Sequence, residues 1–137
     1  MYYTCEYHEE IFKKLIHKYK IQQGSFKLVV VYLLTATNSL RAHINDCYDG
    51  KTGCIKLDAL NHTWLTGGDE SLIRLAFHLY TYDVPLAERY LSKGDKDRVI
   101  REMMLNTPGY LLGRLDDYSF EAAIEAIRMW RARGYMV

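Results

Sequence analysis

Proline is nearly missing from this chain: Pro85 and Pro108 are the two in 137 residues. With so little proline and no low-complexity stretch, the chain lacks the makeup of a linker-rich or disordered protein. Cysteine is scarce and odd in number, at Cys5, Cys47 and Cys54, which excludes a dense disulfide scaffold of the secreted kind. Neither sign of charge dominates. Eighteen Lys and Arg against seventeen Asp and Glu leave a net charge of +1, too little for a global field that gathers nucleic acid or an anionic membrane. The longest apolar run, Leu28 to Leu34, falls far short of the roughly 20 residues of a membrane span. The opening Met-Tyr-Tyr-Thr-Cys-Glu-Tyr-His-Glu-Glu has neither the basic nor the apolar region of a signal peptide. The expectation is a cytoplasmic protein with a single domain over residues 1–137.

What is abundant is tyrosine, twelve in all. Tyrosine packs like an apolar residue but keeps a hydroxyl, so it suits half-buried positions and binding surfaces. Hydrophobic residues make up 49% of the chain, enough for one core.

Helical periodicity recurs along the sequence. Thr4 is placed to cap a first helix reaching about Ile21, with Tyr7, Ile11, Phe12, Leu15, Ile16 and Tyr19 as its apolar face. Acidic Glu6, Glu9 and Glu10 precede Lys13, Lys14, Lys18 and Lys20, an order that suits the helix dipole. Gly24 and Ser25 separate this from Phe26–Thr37. Its valines favour a strand while its length and the Ser25 cap favour a helix, and helix is the reading adopted. A short helix follows from Asn38 or Ser39 through Leu40, His43, Ile44 and Cys47, ending near Tyr48-Asp49-Gly50. Gly50 and Gly53 mark a turn, Ile55 to Leu57 reads as extended, and Asp58 to Leu60 as one helical turn. After Pro85 two more helices are expected, carrying Leu86, Tyr90 and Leu91, then Val99, Ile100, Met103 and Met104. The last helix runs from Asp116–Asp117 to about Arg133, with Phe120, Ala123, Ile124, Ile127 and Trp130 inward and Gly134 as its C-cap. The fold class is all-α: about six to seven helices, no convincing strand pair, around a buried central helix, Asp69 to Tyr82.

That central helix is apolar almost all the way round. Leu72, Ile73, Leu75, Ala76, Phe77, Leu79 and Tyr80 leave only Glu70, Arg74 and His78 as a narrow polar stripe. A polar line on such a helix must meet solvent, a partner or another polar group. The preceding Thr66-Gly67-Gly68-Asp69 turn could cradle an anion at a helix start, but Asp69 and Glu70 put negative charge there, and Asp69 as an N-cap is the simpler account. His43, Cys47, Cys54 and His62 supply the residue types of a tetrahedral zinc site, without the Cys-x-x-Cys clasp of a recognised pattern. The same cysteines with His43 or His62 as base and Asp46 or Asp49 as orienter supply those of a nucleophilic site, but no strained turn presents either thiol. No metal or cofactor is therefore assigned.

The run Arg41-Ala42-His43-Ile44-Asn45-Asp46 through Tyr48-Asp49, followed by Trp64-Leu65-Thr66-Gly67, Ser71 and Arg74-Leu75-Ala76-Phe77-His78-Leu79-Tyr80, resembles a small bacterial domain family of unknown function. Its members occur in chromosomes and on mobile elements. Their pattern is approximately Arg-x-His-Ile-x-x-x-Tyr-Asp, a turn, then Trp-Gln-Thr-Gly and Arg-Leu-Ala-Phe-Asn-Leu-Tyr. This chain has Leu65 in place of the glutamine and His78 in place of the asparagine. The resemblance spans Leu28 to Tyr82, implies a coherent fold, and brings no catalytic residues.

The functional expectation is a small protein-interaction module, a mobile-element accessory or counter-defence protein that acts by binding a protein partner. Self-association is compatible with it. Trp64, Thr66, Glu70, Arg74 and His78 are its candidate contact residues. The alternatives are a small-molecule or nucleotide enzyme using the Trp64–Ser71 turn with Arg74, His78 and His43, and a nucleic-acid binder using Lys13, Lys18 and Lys27 or Arg128, Arg131 and Arg133.

Overall fold

The run Leu28-Val29-Val30-Val31-Tyr32-Leu33-Leu34 has no polar side to offer water except one tyrosine hydroxyl, so it can only be interior. In the computed structural model, which describes residues 1–80 and 105–132, it is helix α2, Lys27–Leu34. All seven of these residues are buried. Three valines cost a helix roughly 0.5 kcal/mol each relative to alanine. Burying seven large side chains contributes on the order of 10–20 kcal/mol, so packing overrides the strand preference.

Around it stand α1 (Glu6–Lys18), α5 (Gly67–Tyr80) and α7 (Asp117–Arg131), each packed against α2. The short helices α3 (Asn38–Ala42) and α4 (Ile44–Cys47) follow α2, and a 3-10 turn, Leu57–Asn61, packs against α4 and α5. Helix α6 (Pro108–Gly113) packs on α5. The architecture is predominantly all-α. One small strand pair departs from the expectation: β1 (Tyr48–Asp49) and β2 (Cys54–Ile55) are antiparallel, Tyr48 opposite Ile55 and Asp49 opposite Cys54. Two residues a side carry too little pattern to be seen as strands. The helices expected after Pro85, and Tyr82, Arg133 and Gly134, lie outside the described residues. Among the described residues no helix is long and apolar enough to cross a membrane.

Several local readings change. Among the described residues α2 is the most buried helix, packed by α1, α5 and α7 with α5 as its main neighbour, and α5 begins at Gly67 rather than at Asp69. Helix α1 stops at Lys18. Lys20 takes a left-handed φ of 52°, and the Ile21 and Lys20 N–H groups return to the carbonyls of Ile16 and His17, a Schellman ending with lysine where glycine is usual. Left-handed backbone costs an L-residue roughly 1–2 kcal/mol.

Two helices are also rotated relative to expectation. In α7, Ser119, Ala122, Ala123, Ala126 and Met129 face the core, while Phe120 lies outside at 38% exposure. The alanines let α7 approach α2 and α5 closely, which a phenylalanine stripe would prevent. In α1, His8 is buried in place of Tyr7. The reason lies in α2, which ends inside the protein and leaves its last four carbonyls without helical partners. His8 Nε2 donates to the Tyr32 carbonyl at 2.8 Å, and the Thr35 hydroxyl donates to the Val31 carbonyl at 2.7 Å. Thr4 does not cap α1; its hydroxyl donates to the Ala36 carbonyl at 2.7 Å, and its N–H donates to His8 Nδ1 at 3.1 Å.

With Nε2 donating and Nδ1 accepting, both nitrogens of His8 are satisfied only in the neutral ring. Burial pushes its pKa down to about 4, Arg41 adds to the depression, and the bond to Tyr32 opposes it. The unfolded chain, titrating near 6.5, therefore binds the proton first, and the His8 contribution to stability is complete above 6.5 and fades as pH falls towards 4. Urea unfolding should show a loss on the order of 3 kcal/mol across that window, with a shallower pH slope in His8→Gln. An unchanged slope in that variant would remove His8 as the source.

Candidate functional site

The Thr66-Gly67-Gly68-Asp69 turn has the Thr-x-x-acid spacing of a capping box, and α5 uses it as one. Thr66 is the N-cap: its hydroxyl oxygen accepts the Asp69 N–H at 3.1 Å, and Asp69 Oδ2 accepts the Thr66 hydroxyl at 2.8 Å. Asp69 is thus the third helical residue, not the cap. Its other oxygen accepts the hydroxyl of Thr37 at 2.6 Å, and Thr37 is itself the N-cap of α3, accepting the Leu40 N–H at 3.1 Å. One buried carboxylate ties two helix starts together.

The neighbouring Glu70 joins α5 to the segment after α6. One carboxylate oxygen takes the Arg74 Nε–H at 3.0 Å, and the other lies 3.7 Å from Arg114 Nη1. Arg114 also donates to the Tyr110 hydroxyl at 2.5 Å and lays its guanidinium over the Tyr110 ring, 4.8 Å from the centroid. Gly67 makes room for it, since a Cβ there would collide with the guanidinium. A cation on the first turn of a helix opposes the dipole, and Glu70 offsets it. Arg74 is 7% exposed, so it is the buried half of this clamp.

Beside the clamp, Thr37, Asn38, Ser39, Thr66, Asp69 and Arg114 border a hollow of about 300 Å³ that reaches Asp116, the N-cap of α7. Trp64 stands apart in a different pairing. Its ring stacks on His43, centroids 4.2 Å apart and planes within 4°, and His43 Nδ1 lies 3.2 Å from Asp46 Oδ2. Trp64 Nε1 is buried with no hydrogen-bond partner among the described residues. His78 packs edge-on against Phe77. The five candidate residues therefore divide: Thr66 into the cap, Glu70 and Arg74 into the clamp, Trp64 onto His43, and His78 further along α5.

The His and Cys set is not brought together either. Among the described residues no three His, Cys, Asp or Glu gather in an arrangement that could hold a metal ion. Cys47 is fully buried, and burial, with Asp46 and Asp69 adding to it, raises its thiol pKa to about 12, so at neutral pH it is a protonated thiol inside the core. Cys54 is exposed on β2, and His62 leans on Trp64 at 6.2 Å. Of the basic residues, Lys13 pairs with Glu9 at 3.5 Å and Arg128 with Glu125 at 3.9 Å, which are ordinary solvated contacts.

Residue-level reading of the sequence missed Thr37, Tyr110 and Arg114. The capping-box spacing was a signal for Thr66; nothing local marks Arg114 as a partner for Glu70, forty-odd positions earlier. Replacing Asp69 with alanine removes the acceptor of the half-buried Thr37 hydroxyl and of the exposed Thr66 hydroxyl, and opens the capping box of α5. Chemical denaturation should show a loss of about 2–4 kcal/mol, with Asp69→Asn recovering part of it. A cost below about 0.5 kcal/mol would mean the carboxylate is dispensable.

No curated protein and no solved structure matches the chain. A family model described as "Family of unknown function (DUF6075)" matches residues 1–128, nearly the whole length. By that match the chain belongs to this family of unknown function.

Proposed function

We propose that this chain is a small protein-interaction module that acts by binding a protein partner. The observation that carries the reading is the exposure of large aromatic side chains on α1 and α7. The Tyr2 hydroxyl donates to the Tyr118 carbonyl at 3.3 Å, holding the first residues beside the start of α7. Around that junction Met1 and Tyr118 are exposed, Tyr118 at 66%; Tyr7 on α1, also 66% exposed, and Phe120 on α7 add two further outward aromatics. Exposed rings on a framework of buried helices are rigid, amphipathic anchors of the kind that dominate interface energies. Titratable groups further inside are committed to structure: Glu70 and Arg74 to the clamp, Asp69 to the caps, Cys47 to the core. That distribution favours binding over catalysis.

The resemblance to a bacterial family whose members include mobile-element genes supports a further step. The module would be an accessory or counter-defence protein, and its partner a host protein that it inhibits in the cytoplasm.

Affinity capture from a bacterial lysate with the tagged chain should retain a defined protein. Tyr118→Ala combined with Tyr7→Ala should lower that retention about tenfold or more, while stability stays within about 0.5 kcal/mol because both rings are outside the core. Retention indifferent to both substitutions, or no specific protein retained at any salt concentration, would defeat the reading.

A further inference from the structure

Where α1 gives way to α2, the chain folds against the β1–β2 ribbon and leaves a hollow of about 290 Å³. Lys20, Lys27 and Lys51 line it together with Tyr19, Gln22 and Ser25, and no carboxylate is among the lining residues. None of the three lysines forms an ion pair with a carboxylate among the described residues. On a chain of net charge +1 this is a local concentration of charge, facing a concave wall.

Close approaches to the backbone shape the hollow. Lys27 crosses Gly53, which has a left-handed φ of 74° and where a Cβ would overlap the lysine Cε and Nζ. Gly50 lies flat under the Tyr19 ring, which a Cβ would also strike. Lys20 occupies a left-handed position that glycine fills at least cost, so a glycine there removes the charge while relaxing the backbone. A second hollow of about 540 Å³ shares Tyr19, Tyr48, Gly50 and Lys51 and adds Lys18 and Lys56. Lys18 Nζ sits 5.2 Å from the Tyr19 centroid, and Lys56 Nζ donates to the Asn45 carbonyl at 2.8 Å. Asp49 lines that second hollow and not the first, and its Oδ1 accepts the Lys51 N–H at 3.0 Å.

We propose that the first hollow binds a ligand carrying vicinal phosphates, a di- or triphosphate group. Three lysines line one hollow, and ammonium groups, as point charges, suit tetrahedral phosphoryl oxygens better than the planar carboxylate that a guanidinium fork would select. Clustered phosphates match a bounded cavity, whereas a nucleic-acid backbone spreads one charge per nucleotide along a line. Ser25 accepts the Lys27 N–H at 3.2 Å through its oxygen, leaving its hydroxyl proton to donate. The site lies apart from the aromatic surface above and stands or falls separately from it.

Calorimetric titration with sodium tripolyphosphate should give one-to-one binding that weakens as salt is raised from about 50 to 200 mM. Lys27→Gln should weaken it about tenfold. Lys20→Gly should weaken it by several-fold while thermal stability is held or raised, since glycine relieves the left-handed backbone, so loss of binding there is not loss of fold. ATP binding more tightly than tripolyphosphate would assign a nucleotide source, and equal affinities an inorganic or polyphosphate one; both support the site. Affinity unchanged in the two variants overturns it. So does a short single-stranded oligonucleotide that binds where tripolyphosphate does not, which would make the lysines a nucleic-acid face.

Discussion

Helix α2 is buried from Leu28 to its C-terminal end, and the elements packed on it must replace the water that this burial removes. A helix that ends in water leaves its last carbonyls to solvent, but one that ends in a core must be given donors, and each buried carbonyl left without one costs about 1–3 kcal/mol. The donors here come from before and after α2. His8 and Thr35 reach the carbonyls of Tyr32 and Val31, Arg41 Nη1 reaches the Thr35 carbonyl at 2.9 Å, and Thr4 reaches that of Ala36. The Tyr32 hydroxyl in turn donates to the Tyr2 carbonyl at 2.6 Å. The N-terminal segment is therefore bound into the core's polar accounting, and this is what sets the rotation of α1 and turns Tyr7 outward.

A second polar system does for the start of α5 what His8 does for the end of α2. Adjacent carboxylates divide the work: Asp69 turns inward and joins the caps of α3 and α5, while Glu70 turns along the surface and holds Arg74 and Arg114. Glu70 and Arg74, two members of the polar stripe on α5, are taken up by this clamp. Exposed aromatics on α1 and α7 and the lysines around Tyr19 are two surface features of different chemistry on a chain whose total charge is close to zero.

The helical class, the positions of most described helices and the turn before α5 are legible in the residue pattern, because periodicity, caps and breakers act within a few residues. Ser25 before α2, Thr66 three residues before Asp69, and Asp116, which accepts the Ser119 N–H at 2.7 Å, all operate at that range. Which side of a helix goes in is set by packing between elements. Tyr7 and His8 are neighbours on α1, and only a carbonyl presented by another helix makes the histidine the better interior residue. Phe120 and Ala123 both satisfy helical spacing, and only close approach to α2 makes the alanines win. The same holds for the sites. Glu70 to Arg114, and Lys20 to Lys27 and Lys51, become neighbours through chain reversals whose geometry is set by packing, a non-local quantity that no window of sequence contains.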